Sequence, residues 1–271
     1  AAREGAHRSL GGRIAAATFG LFGSHALHHL GRGPLPPRSA RPPALNGREE
    51  DALRHDGRVT GLFVVFEGGD GVGKSAQTRW LASWLEERGH EVVRTFEPGD
   101  TAAGKIIREI VLSPSTGDLS PRAETLLYAA DKAHHVYQVV APALARGAVV
   151  VCDRFVDSAI AYQGAGRELG VGEVERINRW ATADLRPDLT VLLDLDPERG
   201  VGAMVKKDRL EDAGDDLHHR ARRCFLDLAA RDPGRYLVLD ARAPKQDNID
   251  AIRARVAALL ELSDASGSMT P

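Results

Sequence analysis

Two cysteines in 271 residues, Cys152 inside an apolar run and Cys224 in a helical stretch, are too few for a disulfide framework and stand at no zinc-ligand spacing. The fold must then rest on a hydrophobic core, and a reducing, cytoplasmic compartment is expected. A basic excess is also missing. The stretch before Gly57 carries eight arginines, no lysine and five acids, which leaves 28 basic against 33 acidic residues for the rest. That balance excludes an extended nucleic-acid face, while a local positive pocket for a small anion remains compatible with it. Ten histidines are present, but His25, His28 and His29 have no acidic or cysteine partners at ligand spacing, so no histidine metal site is expected. The longest stretch without formal charge, Ile14 to Gly31, holds three histidines and several glycines, which suits neither a membrane span nor a secretory signal. There is no internal repeat.

What remains is ordinary for a globular chain, 43% hydrophobic and 27% charged. Residues 1–57, with Pro34, Pro36, Pro37, Pro42 and Pro43 crowded together and no sustained periodicity, read as a mostly disordered leader. From Val59 onward short apolar strands alternate with amphipathic helices, the pattern of a parallel sheet covered on both faces. Strands are predicted at Leu62–Phe66, Glu91–Thr95, Ala148–Cys152, Leu189–Leu195 and Tyr236–Leu239. Trp80, Leu81, Trp84 and Leu85 repeat at helical spacing before Gly89, and Ile106, Ile107, Ile110 and Val111 do so before Pro114. Ser120-Pro121 opens a third helix, and Ile249, Ile252, Val256, Leu259 and Leu260 mark the last. One domain over residues 58–262 and a flexible tail over 263–271 complete the division.

Chemistry concentrates in two places. Gly68-Gly69-Asp70-Gly71-Val72-Gly73-Lys74-Ser75 follows the first strand and fits the G-x-x-x-x-G-K-[ST] phosphate loop. A strand, a glycine turn and a helix start aim successive N–H groups at one anionic phosphate; Lys74 reaches the outer phosphates and the Ser75 hydroxyl suits Mg²⁺. A nucleoside triphosphate is the expected ligand. The second place is Asp153-Arg154, which ends a fully apolar run, so the strand is central and its carboxyl end belongs beside the phosphate loop. The guanine-reading N-K-x-D string is absent, since Val205-Lys206-Lys207-Asp208 lacks the asparagine, which disfavours a GTPase switch.

Six segments in order carry a resemblance. They are Phe66 through Ser75; Glu97-Pro98-Gly99; Leu126-Leu127-Tyr128-Ala129-Ala130-Asp131-Lys132; Asp153 through Ser158 with Ala161-Tyr162-Gln163-Gly164; Arg186-Pro187-Asp188-Leu189-Thr190; and Asp208-Arg209-Leu210-Glu211. From Gly61 to Leu262 the chain resembles the bacterial thymidylate kinases. The resemblance implies an α/β fold of P-loop NTPase type, a parallel five-stranded sheet sandwiched by helices with a mobile lid. It implies transfer of the terminal phosphate of ATP to dTMP with Mg²⁺, giving dTDP for dTTP synthesis, by a homodimer that needs neither nucleic acid nor a membrane.

By that resemblance ATP lies on Gly68, Gly69, Asp70, Gly71, Val72, Gly73, Lys74, Ser75 and Ala76, and the metal on Ser75 with help from Asp153. The dTMP site comprises Asp70, Arg108, Tyr128, Lys132, Arg154, Tyr162 and Gln163: Tyr128 stacks on thymine, Gln163 reads its polar edge, Tyr162 crowds a 2′-hydroxyl and Arg154 clamps the phosphate. Lys74, Asp70, Arg154 and Arg209 are the catalytic candidates. Nothing basic stands between Asp70 and Gly73, so a cation for the transferring phosphoryl group is expected from Val201 to Glu211, first from Arg209 and then from Lys206 and Lys207. Four positions depart from the family pattern: Phe96 stands where arginine is common, Lys132 replaces an arginine, Asp100 a glycine, and Ala159 a serine or asparagine. They keep open a catalytically weak, nucleotide-binding relative, or a kinase for another monophosphate, as alternatives.

Overall fold

The computed structural model describes residues 61–196 and 215–267. The expected leader at 1–57 and Arg209, Lys206 and Lys207 lie outside the described residues.

Five strands form one wholly parallel sheet in the order β2-β3-β1-β4-β5. They are β1 (Phe63–Gly68), β2 (Val92–Phe96), β3 (Val149–Asp153), β4 (Leu189–Asp194) and β5 (Tyr236–Asp240). The first three start a residue later than predicted: Leu62 and Glu91 accept at their carbonyls from Val150 N and Val149 N as the ladders begin, and Ala148 N donates to Ala143 O instead. Central strands of a covered parallel sheet are apolar on both faces, and β1 is buried throughout. Its side chains divide by alternation. Phe63 and Val65 join one core layer with Val150, Cys152, Phe155 and Phe225, whereas Val64 and Phe66 join the other with Leu81, Leu85, Val191, Ile252 and Val256.

Helices cover both faces. Helix α1 (Lys74–Glu86) starts directly after the phosphate loop and buries Leu81 and Leu85. Helix α2 (Ala102–Leu112) is capped by Thr101, whose hydroxyl accepts from Gly104 N at 2.8 Å. Helix α3 (Pro121–His135) opens as the Ser120-Pro121 pair predicts, with the Ser120 hydroxyl accepting from Ala123 N. It runs on through a π-helical turn, Val136–Val140, into the short α4 (Ala141–Ala145). Then come α5 (Val156–Ala159), a second π segment at Ile160–Gly166, α6 (Val171–Ala181), α7 (Asp215–Arg231) and α8 (Lys245–Gly267). Helix α8 continues past Leu262 into the stretch read as a tail.

Register places the site. Phe66 of β1 and Phe96 of β2 both stand level with Asp153 of β3, so the carboxyl ends of the three strands open at one edge. β1 runs furthest, with Gly68 beside Leu193 of β4. Gly68 turns there at φ 130°, and a Cβ on it would lie 2.3 Å from the Leu193 carbonyl oxygen. No side chain fits.

Gly73, at φ 94°, has open space around a would-be Cβ. Gly73→Ala is therefore expected to lose only the left-handed backbone cost of ~1 kcal/mol, and Gly68→Ala ~3 kcal/mol or more as strand ends are forced apart. Chemical denaturation of both variants checks this; equal losses would contradict the packing described at Gly68.

Candidate active site

The mouth of the sheet is organised around one carbonyl oxygen. Lys74 Nζ donates to Gly68 O at 3.1 Å and to Gly69 O at 2.5 Å, and Arg154 Nη1 donates to the same Gly68 O at 3.0 Å. Two cations thus share an acceptor between the phosphate loop and β3. Arg154 also donates to Ser158 Oγ at 2.9 Å and, through Nη2, to Asp70 Oδ1 at 2.5 Å. Its backbone is left-handed, φ 70°, held by Arg154 N donating to Phe66 O and by the Cys152 thiol donating to Arg154 O. Burial pushes the Lys74 ammonium down, the neighbouring Arg154 charge adds to this, and despite Asp70, Asp153 and Glu67 its pKa falls to about 8. Burial alone would raise Asp70, but Arg154 and Lys74 outweigh it and hold the carboxyl below its usual value.

Beneath this pair lies Glu67, wholly buried. It accepts from Phe155 N, Ser158 N and Ser158 Oγ, the last at 2.6 Å, so the turn that carries Arg154 hangs on one carboxylate. Burial, with the Asp157 charge added, raises its pKa to about 7 against the opposing pull of Arg154 and the hydrogen bonds. At the start of α1, Ser75 Oγ donates to Asp153 Oδ2 at 2.6 Å. A hydroxyl and a carboxylate in contact at the edge of an open cleft are hard oxygen donors of the kind Mg²⁺ takes together with phosphate oxygens. Val72, by contrast, turns its side chain into the core against the would-be Cβ of Gly68, so only its backbone is available to a phosphate.

Two cavities meet here. The larger, of about 640 Å³, is lined by Asp70, Gly71, Gly73, Lys74, Ser75, Ala76 and Asp153 together with Arg94, Phe96 and Asp100 from the β2 end. The smaller, of about 100 Å³, is lined by Asp70, Arg108, Tyr128, Lys132, Arg154, Tyr162 and Gln163, with Glu97, Pro98, Leu112, Ser158 and Ala159. Asp70, Glu97, Arg108 and Arg154 line both. In the smaller cavity Lys132 is held by Glu97 at 3.1 Å, and its ammonium lies 5.7 Å from the Tyr128 ring centre. Glu97 also meets His135 Nδ1 at 2.7 Å; His135 Nε2 lies 2.6 Å from Thr95 Oγ1, which donates to Asp100. Burial opposes the ionisation of Glu97, yet Lys132 and His135 hold its carboxyl below the usual value. Arg108 donates to Pro98 O at 2.8 Å with its guanidinium 5.8 Å from the Phe96 ring centre. Where the common arginine is missing, Phe96 offers a cation a face to rest on.

Every described residue that the sequence assigns to the monophosphate lines the smaller cavity, and of those assigned to the triphosphate Asp70, Gly71, Gly73, Lys74, Ser75 and Ala76 line the larger. Glu67, Ser158, Glu124 and His135 are the polar residues that residue-by-residue reading passes over, although Glu67 and Ser158 fall inside quoted motifs. Glu124 and His135 carry a legible signal: with Tyr128 and Lys132 they form a polar stripe at helical spacing along α3, and all four are buried. No described helix is long and apolar enough to cross a membrane.

Comparison with known proteins agrees with this geometry. The family profile described as thymidylate kinase matches residues 66–252. The thymidylate kinase of Cutibacterium acnes is 60% identical over 200 residues, which cover 74% of this chain and 98% of that protein. That of Clavibacter michiganensis subsp. michiganensis is 54% identical over 206 residues, 74% and 97% of the two chains. Among solved structures, the thymidylate kinase of Ehrlichia chaffeensis is similar with a TM-score of 0.59 at 30% identity, covering 74% of this chain and 98% of that one. A sheet of this order, a phosphate loop facing an arginine across one carbonyl, and a profile match over most of the described residues place the chain in the thymidylate kinase family.

Proposed function

We propose that the chain phosphorylates dTMP to dTDP with ATP and Mg²⁺, the larger cavity taking the donor and the smaller the acceptor within a kinase domain spanning 58–262. The observation that carries this is the position of Arg154, which lines both cavities and shares the Gly68 carbonyl with Lys74. A phosphate monoester is largely dianionic near neutral pH, its second ionisation lying near ~6, so the attacking oxygen needs no strong base. Placement and charge are what remain to be supplied.

In this reading the amides from Gly68 to Ala76 cradle the donor phosphates, and Lys74 leaves its two carbonyls to follow the outer ones. Arg154 offers its fork to the acceptor phosphate while Ser158 and Glu67 keep it aimed. Ser75 and Asp153 would hold Mg²⁺, which when bound neutralises charge between donor and acceptor oxygens. Asp70 fixes Arg154 and faces the acceptor sugar. Tyr128 stacks on the base, Lys132 and Gln163 meet its polar edge, Tyr162 packs at the sugar, and Arg108 lines the entry. Arg209 is proposed to supply the remaining cation. Exposed Ile106, Leu126 and Trp180, the last 85% exposed, lie on the adjoining helices α2, α3 and α6 and support assembly as a homodimer through that layer. The proposed setting is the cytoplasm.

Purified chain with ATP and each common nucleoside monophosphate in a coupled assay is expected to turn over dTMP best; another monophosphate used better, with dTMP idle, overturns the assignment. The lowered Lys74 pKa adds a pH signature. Below about pH 8 the ammonium is charged in the free protein and affinity for ATP should be flat; above it the lysine must take up a proton to bind, so affinity should weaken by up to ~tenfold per pH unit. Calorimetry in buffers of different ionisation enthalpy reads that proton uptake. Constant affinity with no uptake would mean Lys74 stays charged.

A further inference from the structure

Glu124 has no part in the reaction as proposed, yet it is a fully buried carboxylate one helical turn from the base-stacking tyrosine. It stands in the first turn of α3, with Tyr128 and Lys132 following at i+4 and i+8 on the same face. Gln163 Nε2 donates to Glu124 Oε1 at 3.0 Å, and Arg167 donates through Nε to Oε1 at 3.4 Å and through Nη2 to Oε2 at 3.3 Å. A carboxylate paired with a guanidinium is an acceptor only, so the neighbouring amide must turn its NH₂ toward it. That fixes both ends of Gln163. Its nitrogen is bound to Glu124, and the carbonyl Oε1 is the end left for the cavity that Gln163 lines.

The two pyrimidine edges differ at this point. Thymine and uracil carry a hydrogen on N3, flanked by carbonyl oxygens; cytosine has a bare N3 acceptor beside an amino group. A fixed carbonyl accepts N3–H and meets a bare N3 with repulsion, whereas a free amide could flip and serve either base. Lys132, held by Glu97, adds to the same cavity a donor that suits a carbonyl oxygen and not an amino group. We propose that Glu124 is a positioning residue that sets base specificity: itself held by Arg167, it locks the Gln163 amide and so excludes cytosine nucleotides. This rests on the reading of the smaller cavity as the pyrimidine pocket.

The test measures kcat/KM of the full chain for dTMP, dUMP and dCMP with ATP, in wild type, Glu124→Gln and Arg167→Gln. In Glu124→Gln the neighbour can donate as well as accept, Gln163 is free to flip, and the dTMP-to-dCMP ratio is expected to fall by ~10-fold or more. The dTMP-to-dUMP ratio should stay unchanged, since both bases carry the same N3–H edge. General loosening of the helix would lower all three rates together and leave the ratios alone. Arg167→Gln, at a part-exposed position, removes the guanidinium contacts to both oxygens of Glu124 and should shift the dCMP ratio in the same direction, so it decides the matter if Glu124→Gln does not fold. A wild type that does not prefer dTMP to dCMP would defeat the pocket reading itself. A wild type that does, with variants keeping the ratio within ~2-fold, would defeat only the role of Glu124.

Discussion

The carbonyl oxygen of Gly68 is the point on which the site depends. It is the last residue of the central strand, its backbone presses on β4 too closely for any side chain, and its oxygen accepts from both Lys74 and Arg154. Two like charges brought that near repel, and this repulsion adds to the larger effect of burial in lowering the pKa of Lys74. Asp70 and Asp153 offset it at the surface and Glu67 from below. Anionic phosphates on either side would relieve it. Such preorganised charge contributes most where anionic oxygens must be brought together and exchange a phosphoryl group.

Around that centre the protein uses buried carboxylates as fixtures. Glu67 secures the turn of Arg154 through two N–H groups and the Ser158 hydroxyl, Glu97 joins Lys132 to His135, and Glu124 joins Gln163 to Arg167. Each is paired with a cationic or N–H/O–H partner that offsets part of the cost of its burial, and each holds a residue that lines a cavity. Helix α3 lays Glu124, Tyr128, Lys132 and His135 along one side, which makes it the ruler against which a base is measured.

Much of this was legible in the sequence because the signals were local. The strand before Gly68, the lysine and serine after Gly73, and the Asp153-Arg154 pair at the end of an apolar run each announce an element and a chemistry together. Strand ends were less legible: the apolar run at Ala148–Cys152 gives no sign that the ladder itself extends to Asp153, since pairing there is set by Phe66 and Phe96 on other strands. The partners of Glu67 and Glu124 were hidden for a similar reason. Glu67 meets Ser158 across 91 positions and Glu124 meets Gln163 across 39, distances over which spacing says nothing about contact. Phe96, which removes a cation from the family pattern, takes its meaning only from the Arg108 guanidinium near its ring.

The central claim, that Lys74 and Arg154 act as one unit through a shared carbonyl, is tested most directly by a double-mutant cycle on kcat/KM for dTMP with Lys74→Met, Arg154→Met and the double variant. Coupling predicts that the double variant loses less than the sum of the single losses, by ~1 kcal/mol or more. Losses that add within ~0.5 kcal/mol would contradict it, leaving two independent anion sites that merely lie side by side.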